Sequence, residues 1–220
     1  MNFESATRRP LQSRQSRWAS ATAGWLTRRR VRPNTISLVS VVFAALAGGC
    51  LAATSSSEPT PRALLLLLAA AMLQLRLLCN LLDGMVAIEG GLKTKSGELY
   101  NDVPDRVADL FILVGAGYGV LWGTWATTLG WLAAALAIMT AYVRVLGVSV
   151  GSRHYFVGPM AKQHRMAALT FACVAGSLES LVEHPYTGTA LGIGLVVIIV
   201  GSVLTIGRRI RRIASDLERR

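Results

Sequence analysis

The sequence predicts an all-α integral membrane protein with six transmembrane helices and an N-terminal interfacial helix. Its 220 residues are 52% hydrophobic and have a positive mean hydropathy, which is unusual for a soluble domain. The apolar residues form long runs, several of them near the ~20 residues that a helix needs to cross a bilayer. The net charge is +11, and the basic residues lie in patches between the runs. This pattern suits a surface of anionic lipids, and no soluble module remains to bind nucleic acid.

Residues 1–33 form a basic segment ahead of the first apolar run. Arginines dominate this segment, and Trp18 and Trp25 interrupt them. Arg and Trp both favour the headgroup region, and their amphipathic spacing predicts a helix that lies in the membrane interface. A partly disordered basic leader is the alternative interpretation.

Six apolar segments follow and make up the predicted membrane domain, residues 34–207. The first span starts at Pro33, which fits the first turn of a helix, and ends near Ala53. The second is rich in leucine and continues from Ala63 to Ala87. The remaining four predicted spans lie at about 101–122, 125–150, 166–181 and 187–206. Residues 208–220 form a basic tail with an apolar stripe that extends the sixth helix.

The basic residues outside the spans indicate how the chain is oriented. Nearly all of them lie at the two termini and in the second and fourth loops, whereas the alternate loops contain only Arg62. The positive-inside rule then places both termini and these two loops in the cytoplasm, which requires an even number of spans. We therefore expect a protein of the bacterial inner membrane with both termini cytoplasmic.

A polar island interrupts the apolar pattern between the second and third spans. Asn80 and Asp83 are three residues apart on one helix face, and Asp105 and Asp109 are four apart on the next helix. Carboxylates at a membrane boundary are costly unless they are paired or bind metal. The short loop predicts that the two helices are antiparallel neighbours, so their carboxylates converge. Converging carboxylates favour Mg²⁺ or Mn²⁺, and a solvated capping cluster is the alternative.

Further side chains near the island are candidates for binding a substrate. Gly84 and Ala87 have almost no side chain, so a nucleotide can approach the backbone there. Arg76 shares the helix face of Asn80, and Arg144 lies within the fourth span. An arginine inside a span normally faces the bundle interior and a partner, although snorkelling to the headgroups is the alternative for Arg76.

The island resembles the signature of the CDP-alcohol phosphatidyltransferase family. That signature reads D-x2-D-G-x2-A-R, then about eight residues, then G-x3-D-x3-D. Asp83-Gly84-x2-Ala87 matches its first half, and Asp105-x3-Asp109 matches its end. Pro33-Asn34-Thr35-Ile36-Ser37 is also similar to the start of the family's first span. The resemblance covers nearly the whole chain and implies an enzyme of phospholipid biosynthesis.

The chain departs from this signature at three places. Asn80 stands where the first Asp is expected, Ile88 stands where the Arg is expected, and the link is about four residues longer. The longer link allows two registers. One is Gly97-x3-Asn101-x3-Asp105, which keeps the glycine, and the other ends at Asp109 and keeps both aspartates. We favour the second register, because losing charge at a metal costs more than losing a small residue.

The resemblance also implies a reaction and a set of site residues. A CDP-linked alcohol, usually CDP-diacylglycerol, binds with its diphosphate on two Mg²⁺ or Mn²⁺ ions. Asp109 is the general base for an alcohol acceptor, and CMP leaves. The implied metal ligands are Asn80, Asp83, Asp105 and Asp109, with Asp102 restoring the charge missing at Asn80. The implied CDP contacts are Gly84, Ala87 and Asn101, the implied acceptor-phosphate contacts are Arg144, Lys162, Arg165 and Arg76, and the family implies a homodimer.

Two other classes of protein remain open at this point. Asn101-Asp102-x2-Asp105-x3-Asp109 is also similar to a motif of membrane prenyltransferases, which bind a prenyl diphosphate through Mg²⁺. Those enzymes need a second aspartate-rich motif, and none follows Asp109. A membrane scaffold that has lost activity is the third interpretation, and Asn80 and Ile88 are its support.

Overall fold

The computed structural model describes residues 16–91, 96–182 and 188–219. Within these ranges the chain is entirely helical, with seven α-helices, one 3-10 turn at Thr54–Ser56 and no strand. The helices are α1 (Arg17–Arg28), α2 (Pro33–Ala53), α3 (Pro59–Glu89), α4 (Gly97–Gly119), α5 (Ala126–Ser149), α6 (Lys162–Leu181) and α7 (Thr189–Leu217). The first 15 residues of the predicted interfacial segment and Arg220 of the predicted tail lie outside the described ranges.

Four of the helices are long and apolar enough to cross a membrane. These are α2, α3, α5 and α7. The helices α4 and α6 are of similar length, but both begin with charged turns. The expectation of an all-α integral membrane protein is therefore confirmed, and six apolar segments correspond to the six helices α2 to α7.

Proline positions explain where several helices begin. Pro33 and Pro59 occupy the first turns of α2 and α3, where a missing N–H costs nothing. Pro104 differs from these two, because α4 begins at Gly97 and Pro104 lies inside the helix. Because proline has no N–H, the carbonyl of Tyr100 lacks its usual helical partner. The extra turn before Pro104 carries Asn101 to the same end of the bundle as the acidic residues.

The N-terminal helix α1 packs on the outside of α3. Ala19 and Ala23 are fully buried in a cluster with Met85 and Val86 of α3. The tryptophans on its other faces, Trp18 and Trp25, are about half exposed. The helix is therefore amphipathic, as its sequence predicts, with small residues toward the protein and aromatic residues outward.

The other six helices close into a ring. Its order is α2, α4, α5, α7, α6 and α3, and α3 returns to pack on α2. The helices α3 and α4, which were predicted to be neighbours, meet through polar side chains such as Arg76 and Asp109, and α2 packs against both of them. The polar side chains of the island lie between α3 and α4 at one end of the ring, in a region that we call the gap.

Glycines allow the closest approach in the ring, between α2 and α4. A Cβ at Gly48 would lie 2.3 Å from the carbonyl oxygen of Phe111, and one at Gly115 would lie 2.3 Å from the carbonyl oxygen of Gly48. Both distances are far below van der Waals contact. The two backbones therefore touch directly, as small residues permit in membrane helix pairs.

Replacing Gly48 tests this contact. Gly48→Ala is expected to lower the free energy of unfolding by about 1–3 kcal/mol, the usual cost of overpacking a tight interface. Gly49 is exposed, and an added Cβ there meets nothing within 4 Å. Gly49→Ala is the matched control and should be neutral or slightly stabilising. Thermal unfolding of both variants in detergent measures the difference, and equal stabilities would contradict the backbone contact.

Candidate functional site

A fully buried ion-pair cluster lies at the centre of the polar region. Asp109 of α4 accepts a hydrogen bond from Arg76 Nη2 at Oδ1 and one from Arg165 Nη2 at Oδ2, both at 2.8 Å. Asp109 and Arg76 are 0% exposed, and Arg165 is 1% exposed. Both carboxylate oxygens are therefore occupied by guanidinium groups from α3 and α6. We call these three residues the Asp109 clamp.

The two arginines of the Asp109 clamp also bind other parts of the ring. Arg76 donates to the Asp105 carbonyl at 3.3 Å and to the Met166 sulfur at 2.9 Å. Arg165 donates to the Thr140 hydroxyl of α5 at 3.2 Å and to the Met160 carbonyl at 3.3 Å. Four helices and the loop before α6 are thus joined at one buried point.

Asp83 and Asp105 form a pair of carboxylates next to the Asp109 clamp, and Asp105 lies one helical turn before Asp109 on α4. They are 4% and 6% exposed, and they lie close enough for their charges to interact. Asp83 accepts a hydrogen bond from the Ser37 hydroxyl of α2 at 2.7 Å. Lys162 of α6 donates to Asp105 Oδ1. The buried amide nitrogen of Asn80, one turn before Asp83, has no hydrogen-bond partner among the described residues.

A cavity of about 210 Å³ adjoins Asp105, and cationic side chains dominate its lining. Arg144 of α5 donates to Asp102 Oδ2 at 2.9 Å and lies over the ring of Phe156. Arg209 of α7 donates to the carbonyl oxygens of Thr140 and Val157. The charged and amide side chains on the cavity wall are Asn101, Asp102, Asp105, Arg106, Arg144, Lys162, Gln163, Arg165 and Arg209.

Six of the twelve candidate residues line the cavity, namely Asn101, Asp102, Asp105, Arg144, Lys162 and Arg165. Arg144, Lys162 and Arg165, the candidates for binding the acceptor's phosphate, line it together with Asn101, a candidate for contacting CDP. Arg76 does not, because it is wholly buried against Asp109. Gly84 and Ala87 are partly exposed on α3.

The assignments of Asp109 and Asp102 need correction. Asp109 is unsuited to be a general base or a metal ligand, because both its oxygens are held by arginines in the buried clamp. Asp102 does not supply the charge missing at Asn80, because its carboxylate pairs with Arg144 and lies 3.8 Å from Arg106. We therefore propose the other register, Gly97-x3-Asn101-x3-Asp105, which ends at the carboxylate beside the cavity and in which residues 89–96 give a link of the usual eight residues.

Arg209 is a site residue that the sequence analysis did not single out. It lies in a run of arginines that was assigned as a whole to the basic tail, yet it is only 6% exposed. Ser202, Thr205 and Arg209 are spaced three and four residues apart on α7, and all three are buried. This polar stripe on an otherwise apolar helix is the signal that distinguishes Arg209 from its neighbours.

Four oxygen-bearing side chains of α3 and α4 fit a hard divalent cation. Asp83 and Asp105 offer carboxylate oxygens, and Asn80 and Asn101, one turn before each, offer amide oxygens. In the described ranges no three carboxylate, histidine or cysteine side chains are grouped as a metal site. Mg²⁺ commonly takes only one or two carboxylates and completes its coordination with substrate phosphates. The donor set therefore suits a cation that is shared with a phosphate-bearing ligand.

Comparisons with known proteins identify the fold. The chain is similar to a Mycobacterium tuberculosis phosphatidylinositol phosphate synthase with CDP-DAG bound, with a TM-score of 0.70 and 19% identity over 90% of this chain and 94% of that one. The same enzyme with manganese and citrate gives a TM-score of 0.69 at 18% identity, over 89% and 88% of the two chains. No protein-family model and no curated protein matches the sequence. The predicted resemblance to CDP-alcohol phosphatidyltransferases is thus confirmed for the fold.

Two aspartates of α4 provide a test of the Asp109 clamp. Asp109→Asn leaves two buried guanidinium groups without a counter-charge and is expected to lower the free energy of unfolding by about 3–5 kcal/mol. Asp102 also pairs with an arginine, but its side chain is 43% exposed. Asp102→Asn should therefore cost less than about 1 kcal/mol. Chemical denaturation in detergent compares the two, and similar losses would show that the clamp does not hold the ring together.

Proposed function

We propose that the protein transfers a phosphatidyl group from CDP-diacylglycerol to an acceptor that bears both a hydroxyl and a phosphate, with release of CMP. The observation that carries this proposal is the adjacency of the Asp83–Asp105 pair to a cavity lined by cationic side chains. Support comes from the fold, because a solved enzyme with this fold has CDP-DAG bound and another crystal of it contains manganese.

The donor is proposed to bind beside α3 and the start of α4. Asp83, Asp105 and the amide oxygens of Asn80 and Asn101 would hold Mg²⁺ or Mn²⁺. The bound metal would neutralise the donor's diphosphate and stabilise the charge on departing CMP. Gly84 lies next to Asp83, and because it has no side chain the cytidine part of the donor can approach the backbone.

Asp105 takes the role of general base in place of Asp109. Lys162 donates to its Oδ1, while Oδ2 is approached only at 3.9 Å by Arg106. The acceptor hydroxyl gives its proton to Asp105, and the hydroxyl oxygen attacks the phosphorus that bears the lipid alcohol. The bond from that phosphorus to the CMP oxygen breaks, and CMP leaves. Most of the rate comes from positioning and charge neutralisation, as in other phosphoryl transfers.

The acceptor's phosphate is proposed to occupy the cavity between α4, α5, α6 and α7. Arg144 and Arg209 approach it from α5 and α7, and Lys162 and Arg165 approach it from α6. Planar guanidinium groups bind phosphate through paired hydrogen bonds, which an uncharged acceptor such as glycerol cannot exploit. The phosphate would hold the acceptor hydroxyl next to Asp105, which also lines the cavity.

The proposed function also implies an arrangement of the helices in the membrane. We propose that α2 to α7 all cross the bacterial inner membrane, with α1 in the interface, and that the chain forms a homodimer. We propose residues 1–33 as the interfacial segment, 34–207 as the membrane domain and 208–220 as the basic tail, with Arg209 of the tail lining the cavity. The site lies at the end of the ring that carries the C-terminus of α7, which the basic loops orient toward the cytoplasm.

Activity of the purified protein tests the proposed reaction. CMP release from CDP-diacylglycerol should require Mg²⁺ or Mn²⁺, and Asp83→Asn and Asp105→Asn should each reduce kcat by at least ~100-fold. Glu58→Gln, an exposed carboxylate at the opposite end of α3, is the matched control and should leave kcat unchanged. Diphosphate release from a prenyl donor without CMP would favour a prenyltransferase, and no turnover of either donor would favour an inactive scaffold.

Substitution of cavity arginines tests the acceptor. Arg144→Met and Arg209→Met are each expected to raise KM for a phosphorylated acceptor such as glycerol phosphate about tenfold or more, with KM for the donor unchanged. Arg208 is the exposed neighbour of Arg209, so Arg208→Met is the control. Equal turnover of glycerol and glycerol phosphate by the unmodified enzyme would contradict a phosphate-binding cavity.

A further inference from the structure

The carboxylates available for metal binding are fewer than the signature describes. With the register ending at Asp105, the four aspartate positions of the signature are occupied by Asn80, Asp83, Asn101 and Asp105. The additional aspartate, Asp109, is held by two buried arginines and contributes nothing to a metal. On each of the two helices an asparagine therefore stands where the signature has an aspartate. In both cases it lies about one helical turn before the aspartate that remains.

A protein cation already stands among the remaining carboxylates. The Lys162 ammonium donates to Asp105 Oδ1, and its charge also acts on Asp83. Lys162 lies in the first turn of α6, and Asp83 also accepts a hydrogen bond from Ser37 of α2. A second divalent ion beside Asp105 would meet this ammonium with like charge and would find no third carboxylate in the described ranges.

We propose that this site binds a single divalent cation per chain, at Asp83 and Asp105, and that the Lys162 ammonium takes the place of a second ion. This proposal concerns the site of the proposed function, and the choice of Mg²⁺ or Mn²⁺ as the cation rests on that function. The diphosphate of the donor is then neutralised by one metal ion together with a fixed lysine. Asn80 and Asn101 contribute neutral oxygens and no charge.

The number of ions bound tests this proposal without any turnover. Mn²⁺ binding to the full chain in detergent is followed by the loss of the free-ion paramagnetic resonance signal, without substrate. One ion per chain is expected, and Asp83→Asn should remove it while the exposed control Glu58→Gln retains it. Two ions per chain, or none, would overturn the proposal. The double variant Asn80→Asp with Asn101→Asp should bind two ions if it folds, and the unmodified chain decides the question if it does not.

A lysine variant tests the second half of the proposal. Removing the ammonium in Lys162→Met should tighten binding of the single ion at least ~5-fold, because a like charge near the metal is lost. Unchanged affinity would overturn the role of Lys162. The CMP-release assay separates this inference from the proposed function: one bound ion without CMP release defeats only the function, and CMP release with two bound ions defeats only the one-ion site.

Discussion

The ring of helices depends on the ion pairs that Asp109 makes with Arg76 and Arg165. A buried carboxylate and two buried guanidinium groups are tolerated only while all three remain together, because removing one leaves an unpaired charge in the membrane interior. The pairs connect α3, α4 and α6, and the bonds from Arg76 are a direct link between α3 and α4. They therefore fix the helices that carry Asp83 and Asp105 relative to each other. Asp109 shapes the site from one turn away by fixing the helix that carries Asp105.

The site is a property of the closed ring and does not belong to the two helices that carry its signature. Each helix of the ring delivers polar side chains to the same end: Ser37 from α2, Asp83 from α3, Asp105 from α4, Arg144 from α5, Lys162 from α6 and Arg209 from α7. Backbone contact at glycines between α2 and α4 brings Ser37 and the start of α4 to this end. A change in packing between any two neighbours would thus move groups on both sides of the cavity.

The sequence predicts the helices well because hydropathy and basic loops are local signals. It does not predict the ring order, since a short loop normally indicates neighbouring helices, and here α2 occupies the place between α3 and α4. The role of Asp109 is also hidden, because its two arginines lie 33 and 56 residues away in the chain. Spacing alone leaves Asp105 and Asp109 equivalent. Their ion-pair partners distinguish them, and those partners come from distant segments of the chain.

The charges at this site balance in a way that relates the two asparagines to Lys162. Asp102, Asp105 and Asp109 each pair with a cationic side chain, and Asp83 interacts with Lys162 across the gap. Additional carboxylates at positions 80 and 101 would leave the lysine and the arginines too few to compensate them, unless a second metal ion supplied the difference. Amides at these positions keep oxygen ligands while they remove that requirement. The asparagines and the partly exposed Lys162 are therefore best understood as one electrostatic arrangement, in which the fixed charge of the lysine takes the place of a second metal ion.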